Sequence, residues 1–550
     1  MRDFIREKGG LDYTDPMTRQ AEALKYILEH KKPKIFPNDL LAGSTTSKRK
    51  GVIFYPEFLG LGIWPELLSL PIREKNPYHI SPEEIFKLDQ EIMPFWIDKN
   101  IPELVRKKLG DDDKSYELHE KLFLFMVSKF NCQSHTIPNY DKVLHHGIEG
   151  IIKEINKKID FSSDSERKFY KAMKLTLEGV MSYAHNLSSE ARRQSKECED
   201  PKRKNELERI ASICTKVPAK PAETFREALQ SIWTCMNALY QEQNNVGFSV
   251  GRIDQMLNQY YLNDIKDGRL TRNHALELLS HFWLKVGDNI PMVPESGDLL
   301  FGATGSNQAI TIGGCDESGE NAVNETTYLC LDVIELLKVR DPNLNARIRE
   351  DDPKKYTKRI AEVIFTTGST PSLINDKVTI PALEKVGISR RDANNYAQVG
   401  CLEPNSPGKQ FGHTGALLIN SMSSFILAMN NGDSEHSKNL GLKTGEITDF
   451  NSFQNFFEAV KTQFKFIIKH ATRLNNVCGE LYKYLHPQPL LGALFDGPIQ
   501  SGTPLLEGGA KYNSSGIAFI ALADLIDSLY AIKQLVFRKK KVSFDELIEI

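Results

Sequence analysis

From residue 220 onward, helical patterns alternate with brief runs rich in turn residues. The runs are NNVGFSVGRID (244–254), SNQAITIGGC (306–315), PNLNARI (342–348) and TPSLIND (370–376). Each is short, β-like and bounded by helical sequence, which predicts an α/β architecture. Before that point the chain reads as helix. TDPMTRQAEALKYILEH (14–30) joins a Thr/Asp start signal to apolar residues at helical spacing. The stretch 162–194 places Phe169, Met173, Leu177 and Val180 on one face. No repeat, low-complexity tract or Gly/Ser linker interrupts the 550 residues. One large domain over 1–550 is predicted, with 1–240 mostly helical and 241–550 carrying the strands.

Composition restricts the function. Charged residues make up 26% and apolar ones 40%, with a net charge of -2. That balance gives no global attraction to nucleic acid or to a membrane surface. No window approaches the ~18 unbroken apolar residues of a membrane span, and MRDFIREKGGLDYTD has no signal-type apolar stretch. A cytoplasmic protein is expected. The eight cysteines are scattered without a CxxC pair, as expected for thiols kept reduced, most of them packing as small apolar residues. Cys132 and His135 form a CxxH, but no second ligand pair stands at a zinc-like spacing, so no metal is expected. Leu525, Leu529, Ile532 and Val536 repeat at helical spacing near the C-terminus, and the basic run Arg538–Lys541 reads as a solvated helix end.

The most informative segment is YAQVGCLEPNSPGKQFGHTGA (396–416), rich in Gly and Pro and read as a loop. Cys401 precedes Glu403 by two residues, and alternation on a short extended stretch would aim both side chains the same way. A bare Cys-x-Glu admits three accounts: a buried loop cysteine beside a surface carboxylate, a thiol hydrolase with His413 as base to Cys401, or radical chemistry with a thiol relay and a carboxylate base. The spacing alone does not choose.

VGCLEP (399–404) resembles the thiyl-loop motif of glycyl radical enzymes of the pyruvate formate-lyase superfamily. Collinear blocks extend the resemblance over nearly the whole chain: PAETFREALQSIW (221–233), FSVGRIDQMLNQYYLNDI (248–265), SNQAITIGG (306–314), NETTYLCLD (324–332), PNLNARI (342–348), TGSTPSLINDKVTIPAL (367–383) and 508–537. The resemblance implies a ten-stranded barrel of two antiparallel half-barrels ringed by helices, with a helical N-terminal layer and the Cys401 loop projecting into its centre. It implies Cys401 as hydrogen-atom relay and Glu403 as base in cleavage of a C–X bond. A thiyl radical is destroyed by oxygen and stray solutes, so a closed, dry cavity is expected around it. No cofactor is bound directly. The radical would be installed on a glycine by a radical S-adenosylmethionine activating enzyme, and a small-molecule substrate and a homodimer are implied.

Position 400 is Gly, where the pyruvate formate-lyase branch uses a second cysteine, and Glu403 stands where the hydrocarbon-adding synthases place Ser. The lyase branch remains: dehydratases, choline trimethylamine-lyase, isethionate sulfite-lyase and arylacetate decarboxylases. By alignment the substrate-binding candidates are His135, Asn139 (acidic in relatives), Val246 and Thr414. With Gly247 beside Val246, these positions imply a pocket less polar than a polyol dehydratase's. The family's Arg-Val-x-Gly-(Tyr/Phe) glycyl motif does not occur in these 550 residues, and the barrel is expected to be incomplete at its C-terminal side. Three expectations follow: a piece of a longer enzyme, a split-enzyme subunit served by a separate glycyl-domain chain, or a non-catalytic remnant. The isolated chain is expected to be inactive.

Overall fold

A computed structural model describes residues 1–550 other than 122–123, 127–129, 131–134, 291, 302–304, 306, 414, 436 and 550. The expected helices form where their start signals stand. Asp15, whose side chain accepts from Thr18 N–H, caps Pro16–His30, and Ser163 and Glu166 form a capping box on Asp164–Glu197. Phe169, Met173, Leu177 and Val180 are buried together, and Asp164–Glu197 packs against both Pro16–His30 and Pro201–Lys216. The helix Phe225–Glu242, also closed by a capping box at Thr224, is buried on nearly every face and forms the axis of the helical layer.

Ten short strands are described: β1 (Leu124–Met126), β2 (Ala309–Gly313), β3 (Asn343–Ile348), β4 (Ser372–Asn375), β5 (Ala397–Val399), β6 (Glu403–Asn405), β7 (Gln410–Phe411), β8 (Leu417–Asn420), β9 (Tyr512–Asn513) and β10 (Ile517–Ile520). Only β1 precedes residue 240 among the described residues. Three of the four expected β-like runs are the adjacent parallel strands β2, β3 and β4. The fourth, NNVGFSVGRID, makes a single parallel bridge from Gly251 to Ile310, because positive φ at Gly247 and Gly251 bends it out of an extended path. β8 pairs antiparallel with β1 and parallel with β10. β5 and β6 form an antiparallel hairpin, and β7 pairs with β9. The chain is thus mixed α/β with a predominance of helix. The described strands lie in four separate sheets, with no ladder among the described residues joining β2–β3–β4 to β1–β8–β10, so they do not confirm the expected incomplete ten-stranded barrel.

Side-chain alternation divides the β2–β3–β4 sheet into two faces. Ile310, Ile312, Leu344 and Ala346 enter the main helical core. Thr311 and Arg347 face the hairpin: Thr311 Oγ1 accepts from Gln398 N–H at 2.8 Å, and Arg347 donates to the Tyr396 carbonyl at 3.0 Å. The C-terminal helix Leu522–Ile532 buries Leu525 and Ile532 as the spacing predicts, with Leu529 and Val536 packed beside them, and Arg538–Lys541 is exposed. No described helix is long and apolar enough to cross a membrane.

The axial helix ends on a fully buried carboxylate. Glu242 accepts from the backbone N–H groups of Leu490 and Leu491 at 2.8 and 2.9 Å. Burial outweighs these bonds and pushes its pKa up to about 8. The folded chain therefore keeps a proton that the unfolded chain releases above its ordinary carboxyl range. Stability should fall as pH rises from about 5 to 8, by at most ~1.4 kcal/mol per pH unit. Glu242→Gln should flatten that slope in urea titrations repeated across the same window.

Candidate active site

Cys401 stands at the tip of the β5–β6 hairpin, where Val399 pairs with Glu403 and only Gly400, Cys401 and Leu402 remain between them. The extended alternation expected from the sequence is replaced by this three-residue turn. Cys401 and Glu403 still meet, because the Glu403 side chain folds back over the tip. Its Oε2 accepts from the N–H groups of Cys401 and Leu402, each at 3.0 Å. A carboxylate bonded to the backbone of the tip has little rotamer freedom left.

Beside it lies His135, with Nε2 at 3.6 Å from Glu403 Oε1. Its ring is enclosed by three glycines, all at positive φ. A Cβ on Gly400 (φ +62) would stand 2.2 Å from two ring atoms, one on Gly247 (φ +78) 3.3 Å from Cδ2, and one on Gly415 (φ +73) 3.5 Å from Cε1. Burial pushes the His135 pKa down, opposed by the Glu403 charge, so the ring is neutral near pH 7. His135 N–H donates to the Val246 carbonyl at 3.0 Å, which ties the third candidate residue to the same spot. Ser249, fully buried, joins the parts: its Oγ accepts from Ala309 N–H and Gly400 N–H and donates to the Gly247 carbonyl.

Two ionic clamps hold the ends of the loop. Arg347, with no exposed surface, makes a two-pronged contact with Asp376 at 2.8 Å on each arm, donates to the carbonyls of Asn394 and Tyr396, and stacks on the Tyr396 ring. Farther along, Asp392 receives Lys409, Lys511 and the Tyr512 hydroxyl. Burial alone would raise the Asp392 pKa, but these donors outweigh it and hold the carboxyl well below the usual range.

The other predicted residues fare differently. Asn139 caps the helix Tyr140–Ile159 through Oδ1 and donates to Asp496 through Nδ2, so both ends of its amide are engaged in structure. Thr414 and Cys132 lie outside the described residues. Cys214, Cys235, Cys315, Cys330 and Cys478 are buried as expected, and burial pushes Cys214 and Cys235 up to about 12. No group of three or more potential metal ligands occurs among the described residues. Cys401 is exposed, and the Glu403 side chain is 35% exposed. The closed chamber expected around the thiol is therefore not formed by the described residues, because the tip extends past the ends of β5 and β6.

Two residues that sequence reasoning missed touch Cys401. Asn307 Nδ2 donates to Sγ at 3.0 Å, and Asn343 Nδ2 donates to the Cys401 carbonyl at 2.9 Å. Both lie within quoted blocks, but nothing local signals a reach of 94 or 58 residues to the tip. Gly400 is the site's most restrictive position. Gly400→Ala should displace the His135 ring and strain the turn, costing about 1–3 kcal/mol in denaturant titrations and removing the His135–Glu403 approach in a crystal structure.

The family described as pyruvate formate lyase-like matches residues 4–550. (2S)-3-sulfopropanediol dehydratase of Klebsiella oxytoca is 29% identical over 541 residues, covering 96% of this chain and 65% of that protein. The crystal structure of a glycyl radical enzyme from Archaeoglobus fulgidus superposes with a TM-score of 0.94 at 32% identity, over 100% of this chain and 70% of that one. The glycerol-bound B12-independent glycerol dehydratase from Clostridium butyricum gives 0.94 at 30% identity, over 99% and 70%. The chain spans about two thirds of the length of the curated relatives it matches. It belongs to the pyruvate formate lyase-like family.

Proposed function

We propose, on the premise of that family, that this chain is the substrate-binding portion of a glycyl radical lyase that cleaves a C–X bond of a small molecule. The observation that carries this reading is the Glu403 carboxylate folded over the Cys401 tip, with a neutral histidine beside it. A glycyl radical on a segment supplied to this chain, generated by a radical S-adenosylmethionine enzyme, would take the hydrogen atom from Cys401. The sulfur then takes a hydrogen atom from a substrate carbon. Glu403 Oε1, the oxygen not bonded to the tip, takes the proton of the neighbouring hydroxyl as the leaving group departs with its bonding pair, and the product radical then recovers a hydrogen atom from the Cys401 thiol. His135, Val246 and Thr414 are proposed to line the substrate space. Asn139 is proposed to act there through its hold on Asp496 and the start of its helix.

The exposed tip fits a reading in which the remainder of a longer enzyme, or a separate glycyl-bearing polypeptide, completes the barrel and covers the thiol. A radical centre open to water would be quenched, so the isolated chain is proposed to be inactive. The arrangement favours this chemistry over a Cys–His hydrolase. The ring at Glu403 is His135 rather than His413, and the Cys401 sulfur receives a hydrogen bond from an amide. Val246 and Gly247 offer no polar side chain, which supports a substrate poorer in hydroxyl groups than a polyol.

Complementation under anoxia tests the proposal: the chain, a glycyl-domain polypeptide, an activating enzyme and a panel of diols, sulfonates, quaternary amines and arylacetates. Cys401→Ala should abolish turnover. Glu403→Gln should lower it by roughly 10²–10⁴-fold while the glycyl electron paramagnetic resonance signal persists. Turnover that survives Cys401→Ala, or activity from the chain alone in air, would reject the radical reading.

A further inference from the structure

The tip carrying Cys401 is held at three points, and they come from different parts of the chain. Glu403 takes the backbone N–H, Asn343 at the start of β3 donates to the carbonyl, and Asn307 just before β2 donates to the sulfur itself. The two asparagines are tied together, since Asn343 N–H donates to the Gln308 carbonyl at 2.7 Å. Gln308 is in turn fully buried, and its amide donates to the Tyr240 hydroxyl and the Val286 carbonyl. Asn307 is thus mounted on a rigid base. Its φ of +57 is a left-handed conformation that asparagine tolerates better than most residues.

We infer that Asn307 is a further catalytic residue of the reaction proposed above, its side-chain amide fixing the Cys401 sulfur in the orientation from which hydrogen is exchanged. An exposed cysteine on a three-residue turn would otherwise sample several staggered rotamers. A hydrogen atom passes only at near-attack distance, so each unproductive rotamer lowers the rate. An N–H donated to a sulfur lone pair selects one orientation and leaves the S–H hydrogen itself available. A histidine or carboxylate at this position would instead draw the proton and favour two-electron chemistry.

The backbone conformation chooses the variants. Asn307→Gly tolerates the left-handed φ and removes the amide, whereas Asn307→Asp keeps the shape and replaces the donor with a charged acceptor. Alkylation of Cys401 by iodoacetamide, followed on its own peptide by mass spectrometry in the isolated chain, reads the contact directly, because a sulfur held by the amide has to give up that bond before it attacks the reagent. Asn307→Gly should speed labelling roughly threefold to tenfold, and Asn307→Asp, which has no donor, should not restore the slow rate. Labelling of Asn307→Gly at the unsubstituted rate or slower overturns the contact. This arm involves no radical chemistry, so it decides the contact even where the lyase reading fails. In the complemented enzyme, Asn307→Gly should lower kcat at least tenfold with KM and the glycyl signal unchanged. An unaltered kcat overturns the catalytic role.

Discussion

The imidazole of His135 occupies the space that a side chain at position 400 would need, and the geometry of the site follows from that exclusion. The backbone at 400 approaches the ring only because it carries no Cβ, Gly247 and Gly415 flank the same ring, and each of the three adopts a positive φ that glycine accepts without strain. The ring then stands close enough to Glu403 to face it, but in surroundings too dry for an imidazolium. The same crowding explains why position 400 does not carry a second cysteine. A thiol there would have to occupy the volume of the ring, so a cysteine at 400 and this placement of the histidine exclude one another.

Around that contact the loop is held by charge as well as by the packing of Ala397 and Val399 on Ile137. Arg347 has no exposed surface, and its guanidinium is satisfied by one carboxylate, two carbonyls and an aromatic face. Such a group is costly to bury and costlier to leave unpartnered, so the network specifies one arrangement more than it adds stability. Asp392 does the same for the far end, joining the loop after the hairpin to the segment that forms β9. A hairpin tip with only three residues has few contacts of its own. Its position is inherited from these two clamps and from the Ser249 hydroxyl beneath it.

How much of this could be read from the sequence depends on the range of each interaction. Helices with local signals, such as the Asp15 cap and the face through Phe169 and Val180, form as the spacing says. β2, β3 and β4 were legible because short apolar runs between helices have few other uses. The Cys401–Glu403 pairing was legible as a motif, but its geometry was not: strand alternation and a three-residue turn both bring the residues together, and only the turn lets the carboxylate cap the backbone. Asn139 shows what the motif leaves out: both ends of its amide are engaged, one by a helix cap and the other by an aspartate. Asn307 and Asn343 were illegible because the contact joins segments far apart in the chain, and nothing in an isolated asparagine says which loop it will meet.

The exposed tip gives these constraints their direction. An ordinary buried cysteine needs no clamps, since packing alone fixes it, and five other cysteines of this chain are of that kind. Cys401 has the opposite character: accessible sulfur, a backbone bonded through both N–H and carbonyl, and a carboxylate and an amide already in place. Ordering a solvent-facing turn costs conformational entropy that its few contacts barely offset. Preorganisation of this kind lowers the barrier of a reaction that begins once the tip is covered, because the groups need not be rearranged when water leaves. On the function proposed above, the arrangement would be that of a site assembled in advance of its enclosure, for a chemistry in which sulfur passes a single hydrogen atom while the adjacent carboxylate takes a proton.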